Sequence, residues 1–220
     1  DAGNLTGKIV TATVLFADIR NFTTYSERLT SDEIAGLLNA YLQTACAPIM
    51  SNKGIVMKFL GDGIMALFEP HPDERGETHA RRAIRAGLAM QLAALEFRKW
   101  IVERHSAHGL PEFAIGVGMH TGEVLMCHVV TPGGGELTVI GDSVNIASRL
   151  EGQTKELGWH VLASRDTVDA AGAGVELGSH KEVQLRGRAK ATEAVQILGI
   201  AGGEGTDAPV RIPQEMRDAL

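Results

Sequence analysis

The six residues Lys58-Phe59-Leu60-Gly61-Asp62-Gly63 restrict the fold of this chain more than any other stretch. Ile55-Val56-Met57 precede them and Ile64-Met65-Ala66-Leu67-Phe68 follow, so two short apolar runs are split by an acid between glycines. That pattern predicts a buried β-hairpin turning at Gly61–Gly63. A buried hairpin has no packing use for Lys58, because an unpaired ammonium is costly to bury. The turn does not need Asp62 either, although Asp is common in turns for its own hydrogen-bonding reasons. At roughly 3.3 Å per residue the two lie up to about 13 Å apart in an extended chain, too far for a simple pair. Either Lys58 snorkels and Asp62 only turns the chain, or the two serve opposite ends of one ligand, or two ligands.

Upstream, Lys8 to Ala17 is β-branched and apolar enough for a central strand. It stops at Asp18, and Ile19-Arg20-Asn21-Phe22-Thr23-Thr24 lead into a helix. An acid at the end of a central strand, followed by a helix start, suits a metal–phosphate site: the carboxylate takes the cation and free N–H groups take phosphate. Asp18 as a plain helix N-cap is the competing reading. Thr30-Ser31-Asp32-Glu33 is a capping-box pattern opening a helix along Ile34, Leu37, Leu38, Tyr41, Leu42, Ala45 and Ile49, with Pro48 expected to bend or end it.

After a loop over Pro70–Gly76, Glu77 to about His105 reads as a long helix, with Arg81, Arg82 and Arg85 expected on a solvated face. Phe113–His120 and Val124–Val130 read as a second hairpin turning at Thr121-Gly122-Glu123. Pro132 to Gly135 is expected to be a flexible loop and lacks the lysine of a Walker P-loop. A strand from Leu137 and a helix from Asp142 or Ser143 to Leu157 follow, Asn145 and Arg149 sharing one helix face. Arg149 there could also pair Glu151 or Glu156. Four short strands are expected at 160–163, 175–177, 182–185 and 193–198. His105-x-x-His108 is the one close histidine pair, a spacing that does not by itself make a metal site.

These elements divide the chain into a lead-in over 1–7, one domain over 8–198, and a Gly- and Pro-containing tail over 199–220. The net charge of −6 argues against nucleic acid as the main partner, but leaves room for a polyanionic small molecule reached through metal ions. Cys46 and Cys127 have no metal-ligand spacing and read as free thiols in a reducing compartment, which points to the cytoplasm. Regulatory or membrane-anchoring segments outside these residues remain open.

Four blocks in order, 15–23, 58–63, 118–123 and 138–150, resemble the catalytic domain of class III nucleotide cyclases over about Lys8 to Leu198. The resemblance implies an α+β fold with a ferredoxin-like core, a mainly antiparallel sheet with helices, and two domains joined head to tail. In such a homodimer Asp18, Asp62 and the Ile19 carbonyl of one subunit would hold two Mg²⁺ or Mn²⁺ ions. Lys58, Thr138, Asn145, Arg149 and Arg186 would come from the other. The implied reaction is attack of the ribose 3′-hydroxyl of ATP on its own α-phosphorus, giving 3′,5′-cyclic AMP and pyrophosphate. Arg149 would act on the phosphorus, Asn145 on the ribose, the Phe22 and Thr23 N–H groups on the β- and γ-phosphates, and Arg186 on the terminal phosphate.

Within this family a Lys with Asp, Thr or Ser marks adenine, and a Glu with Cys typically marks guanine, so Lys58 with Thr138 implies the Thr-bearing bacterial adenylate cyclase subtype. A guanylate cyclase, or a catalytically silent cyclase-like dimerisation or sensor module, are the alternatives. Two departures stand out: Asn21 where many relatives have Gly, and Gly116 where some carry a phosphate-binding Arg.

Overall fold

The computed structural model describes residues 7–72, 77–131, 134–185, 191–202 and 208–217. At its centre, β1 (Gly7–Ile19) sends alternate side chains to opposite faces of a sheet. Leu15, Ala17 and Ile19 enter one apolar cluster, and Val10, Ala12 and Val14 enter another. Both faces are therefore covered, which is why this segment reads as a near-continuous apolar run. A short helix α1 (Phe22–Arg28) and a long helix α2 (Ser31–Ser51) follow. The capping box forms in both directions between Thr30 and Glu33. Pro48 lies inside the last turn of α2, and the helix ends at Ser51, shortly after it.

The hairpin forms as expected, β2 (Ile55–Leu60) pairing antiparallel with β3 (Gly63–Phe68) and Gly61 turning at a φ of +70°. Helix α3 (His79–His105) runs into a 3₁₀ turn at Ser106–His108, and β4 (Ile115–Thr131) returns beside β1. The core is thus βαββαβ with strand order β2-β3-β1-β4, a ferredoxin-like arrangement with α2 and α3 packed on one face. Beyond it come β5 (Gly134–Ile140), α4 (Asp142–Leu157), β6 (Val161–Ser164), α5 (Arg165–Ala171), β7 (Val175–Val183) and β8 (Thr192–Ile200). All strand pairings are antiparallel except β4 with β6. No described helix is long and apolar enough to cross a membrane.

Four expectations change. The second hairpin does not turn at Thr121-Gly122-Glu123: β4 continues through these three residues, each paired to β1, and pairs antiparallel with β5 instead. Thr121 Oγ1 bonds Thr13 Oγ1 at 2.8 Å across that ladder. Gly122 serves close packing instead, since a Cβ there would lie 2.5 Å from Ser143 Oγ. Second, β5 starts at Gly134, inside the expected loop. Third, the expected strands at 175–177 and 182–185 merge into β7, with irregular register.

Fourth, Arg81, Arg82 and Arg85 are only 7%, 4% and 5% exposed. They satisfy carbonyls in the connections between elements: Arg81 donates to Ala173 and Ala201, Arg82 to Asn52, Lys53 and Glu69, and Arg85 to Ala208 and the Glu77 carboxylate. In the stretch read as a tail, β9 (Val210–Arg211) pairs with β8, and α6 (Gln214–Arg217) follows. Ile212 and Met216 are buried in the main cluster, so apolar side chains too sparse to mark an element still anchor this segment.

Candidate active site

Asp18 stands at the C-terminal end of β1, opposite Gly116 of β4. On its other side the β3 ladder reaches Ala17 with Ile64, which brings the hairpin turn to the same corner. The backbone at Gly63 lies against the acid: a Cβ there would sit in ordinary contact, 3.5 Å from Asp18 Oδ1 and 3.5 Å from the Ala17 carbonyl. Asp62 comes within hydrogen-bonding reach of Asp18. The Ile19 backbone N–H donates to Asp18 Oδ1 at 3.0 Å and fixes the carboxylate. The two acids singled out in the sequence thus meet, although 43 residues of chain lie between them.

Helix α4 lies across β4 on the sheet face opposite α2 and α3. Glycine permits this: a Cβ at Gly118 would fall 2.0 Å from the Glu151 nitrogen, inside the helix backbone. Ile146, Ala147 and Leu150 face inward, while Asn145 is exposed and Arg149 half-buried. Among the described residues, the side chains of Asn145, Arg149, Lys58 and Thr138 have no hydrogen-bond or ion-pair partner. Arg149 therefore does not pair Glu151 or Glu156. A partly buried guanidinium with its donors unused differs sharply from the buried arginines of α3, whose donors meet carbonyls.

Lys58 lies on β2 opposite Met65, just past a bulge after Val56. Thr138 lies on β5 opposite Cys127. Their neighbours Met57 and Val139 belong to the apolar cluster beneath α4, so both strands border that face. Phe22 and Thr23 open α1, where the first N–H groups have no carbonyl one turn back. Asn21 precedes them at φ 57°, a left-handed conformation that Asn tolerates better than most residues with a side chain. Arg186 lies outside the described residues.

Glu151 was not picked out in the sequence as a site residue. Burial pushes its carboxyl up to about 7, with Arg20 pulling it down and Asp62 pushing further up. Arg20 donates to the Thr154 and Trp159 carbonyls at 3.2 and 2.7 Å, tying the end of β1 to the end of α4. The only sequence signal for Glu151 was its place two residues after Arg149. Gly116 makes room for it, since a Cβ there would be 2.2 Å from Thr154 Oγ1 and 2.9 Å from Glu151 Oε1. A larger side chain at that position would displace both.

Burial raises the Asp18 carboxyl to about 8, with Asp62 and then Glu151 adding to the push and the Ile19 N–H opposing it. Among the described residues, three carboxyls at one corner with a single arginine leave negative charge that a proton or a cation must balance. Hard oxygen donors of this kind fit Mg²⁺ or Mn²⁺.

The profile of the family described as "Adenylate and Guanylate cyclase catalytic domain" matches residues 6–199. An adenylate cyclase of Anabaena cylindrica is 38% identical over 71% of this chain and 30% of its own length. Adenylate cyclase 1 of Rhizobium meliloti is 32% identical over 88% of this chain and 28% of its own length. The chain thus spans less than a third of these curated relatives. Among solved structures, the guanylyl cyclase Cya2 superposes with a TM-score of 0.78 at 28% identity, covering 93% of this chain and 98% of that one. The adenylyl cyclase CyaB of P. aeruginosa gives 0.72 at 26%, covering 88% and 96%.

Proposed function

The chain belongs to the adenylate and guanylate cyclase catalytic domain family, and from that premise we propose that it converts ATP to 3′,5′-cyclic AMP and pyrophosphate at sites shared across a homodimer, in the cytoplasm. The observation that carries this reading is the close pair of carboxyls Asp18 and Asp62, in a protein whose half-buried Arg149 side chain has no partner among the described residues. Asp18 and Asp62, with the Ile19 carbonyl, would hold two Mg²⁺ or Mn²⁺ ions, whose chemistry is to neutralise the triphosphate and acidify the attacking hydroxyl.

The remaining work falls to the other side chains. Nucleophile and electrophile belong to one molecule, so the protein has mainly to hold a near-attack conformer. Asn145 orients the ribose so that its 3′-oxygen faces the α-phosphorus. The new O3′–P bond forms as the bond to the bridging oxygen of pyrophosphate breaks, and the hydroxyl proton passes to solvent. Arg149 donates to the oxygens on which charge accumulates, a role worth about 10³–10⁵ in rate for arginines in other phosphoryl transfers. The Phe22 and Thr23 N–H groups and Arg186 hold the leaving phosphates.

Lys58 donates to adenine N1 and Thr138 accepts from the 6-amino group. Guanine presents the reverse pattern, and mismatched buried hydrogen bonds discriminate strongly. Likeness to the guanylyl cyclase Cya2 favours a second reading, in which GTP is the substrate. Purified chain assayed with Mn²⁺ on ATP and GTP side by side, over a range of protein concentrations, tests both. Cyclic AMP as the main product, with specific activity rising with concentration, is expected. Faster use of GTP would establish the second reading, and no cyclic nucleotide at any concentration would overturn both.

A further inference from the structure

We propose that Glu33, His105 and His108 form a second metal site, one for a divalent transition-metal ion of the Zn²⁺ class, apart from the Asp18–Asp62 corner. The site begins with the capping box of α2. Glu33 Oε2 accepts from the Thr30 backbone N–H and the Thr30 hydroxyl, each at 2.8 Å, which holds the side chain in one orientation. Its other oxygen, Oε1, is then aimed at two imidazoles: His108 Nε2 lies 3.5 Å away and His105 Nδ1 3.9 Å. His105 ends α3, His108 lies on the 3₁₀ turn, and their ring centroids are 5.9 Å apart. One donor atom from each of the three residues lies within 4.8 Å of the other two.

Two features separate this group from a chance meeting of polar side chains. His105 is only 8% exposed, and its Nδ1 is buried without a hydrogen-bond partner. A buried donor or acceptor left unmatched is costly, and 3.5 to 3.9 Å is too long for a hydrogen bond to Glu33. The three donor atoms lie close together without being hydrogen-bonded to one another. Donors about 2.0–2.2 Å from a tetrahedral ion are separated by roughly 3.3–3.6 Å, so the Glu33–imidazole separations of 3.5 and 3.9 Å are already near that value, and the two imidazole donors, within 4.8 Å, would have to draw together.

The donor set also selects the ion. Two imidazoles and one carboxylate suit Zn²⁺, Co²⁺ or Ni²⁺, whereas the all-oxygen corner at Asp18 suits Mg²⁺ or Mn²⁺. Three protein ligands leave a fourth position for water. A cleft of about 430 Å³, lined in part by Ile101, Val102, Ser106 and Gly109, adjoins His105. A bound ion would join the start of α2 to the end of α3. Arg28, at the end of α1, already donates to the Gly109 carbonyl next to His108, so α1 is attached to the same junction.

The test uses Co²⁺ as probe, titrated into the purified chain with Mg²⁺ in excess to occupy oxygen-only sites. Wild type should take up one Co²⁺ per chain with the visible absorption of a four-coordinate nitrogen–oxygen site, and Zn²⁺ should displace it and raise the melting temperature. Glu33→Gln keeps a residue that can complete the capping box but removes the anionic ligand. His108→Ala removes an imidazole that is less buried than His105. Each should weaken Co²⁺ binding at least tenfold and abolish the Zn²⁺-dependent melting shift, while metal-free melting stays near that of wild type. Co²⁺ binding and a Zn²⁺ shift unchanged in both variants would overturn the proposal. So would a wild type that shows neither, which would leave the three residues as a carboxylate–imidazole ion-pair cluster.

Discussion

A carboxyl group buried beside a second carboxyl must hold a proton or a cation, and at the scale of single residues Asp18 is in that position. Its folded value of about 8 stands above the ordinary 3.8, so the folded state binds this proton more tightly than the unfolded chain does. Stability conferred by a group shifted in that direction is present at low pH and lost as pH rises through about 8. Glu151, raised to about 7, acts in the same direction. His160, held down to about 4 by burial, acts oppositely but has finished titrating above its ordinary 6.5. Metal-free protein should therefore lose melting temperature between pH 6.5 and 8.5, and Mn²⁺ at pH 8.5 should restore it by replacing the proton. Asp62→Asn should flatten the profile, by removing one of the charges that raise Asp18. A metal-free profile that rises with pH across this window would contradict the shared-proton account. Asp18 and Asp62 were legible in the sequence because an acid at a strand end and an acid between glycines are conspicuous locally. Glu151 was not, since its role depends on α4 lying over Gly118, a contact between distant segments that no local pattern encodes.

At the scale of elements, the seating of α4 on β4 decides where Asn145 and Arg149 stand. A Cβ on Gly118 would lie 2.0 Å from the Glu151 nitrogen and 2.5 Å from its Cα, so Gly118→Ala has to push the helix backbone off the sheet. Overpacking of this kind costs about 1–3 kcal/mol, and turnover should fall as well, because the two residues on the outer face of α4 move with it. Gly152 on the same helix has nothing within 4 Å of its would-be Cβ. Gly152→Ala should be neutral or stabilising by about 0.5–1 kcal/mol, the usual helix preference for alanine over glycine. Denaturant unfolding and the initial rate of the two variants compared with wild type check both halves, and equal stability of all three would show that α4 is not held as described. The long helices and the 55–68 hairpin were readable because their periodicity is local. The same rule misplaced a turn at Thr121-Gly122-Glu123, where glycine answers to a helix packed above rather than to a change of chain direction. It also misjudged Arg81, Arg82 and Arg85: three arginines in five positions look solvated until the connections between distant elements close around them and present carbonyls.

At the scale of the whole molecule the open question is whether one chain can complete a site. Asp18 and Asp62 meet at one corner, while Arg149 reaches no described partner, an arrangement that a second copy turned head to tail would satisfy. Asp18→Ala and Arg149→Ala should each be inactive alone, because every site in either homodimer lacks one required group. When the two are mixed, some dimers contain one of each. In those, one site has lost both groups, and the other draws Asp18 from the Arg149-substituted subunit and Arg149 from the Asp18-substituted subunit. With random and equal mixing about half of the dimers are mixed and each carries one complete site of two. Activity should thus return to about a quarter of wild type if the sites act independently. The recovery should shrink on dilution, since association follows mass action. Cyclic nucleotide formation by the mixture, measured beside a direct assay of subunit exchange, is the readout. A mixture that exchanges subunits yet stays inactive would mean that each site is built within one chain, and Arg149 would then need another role.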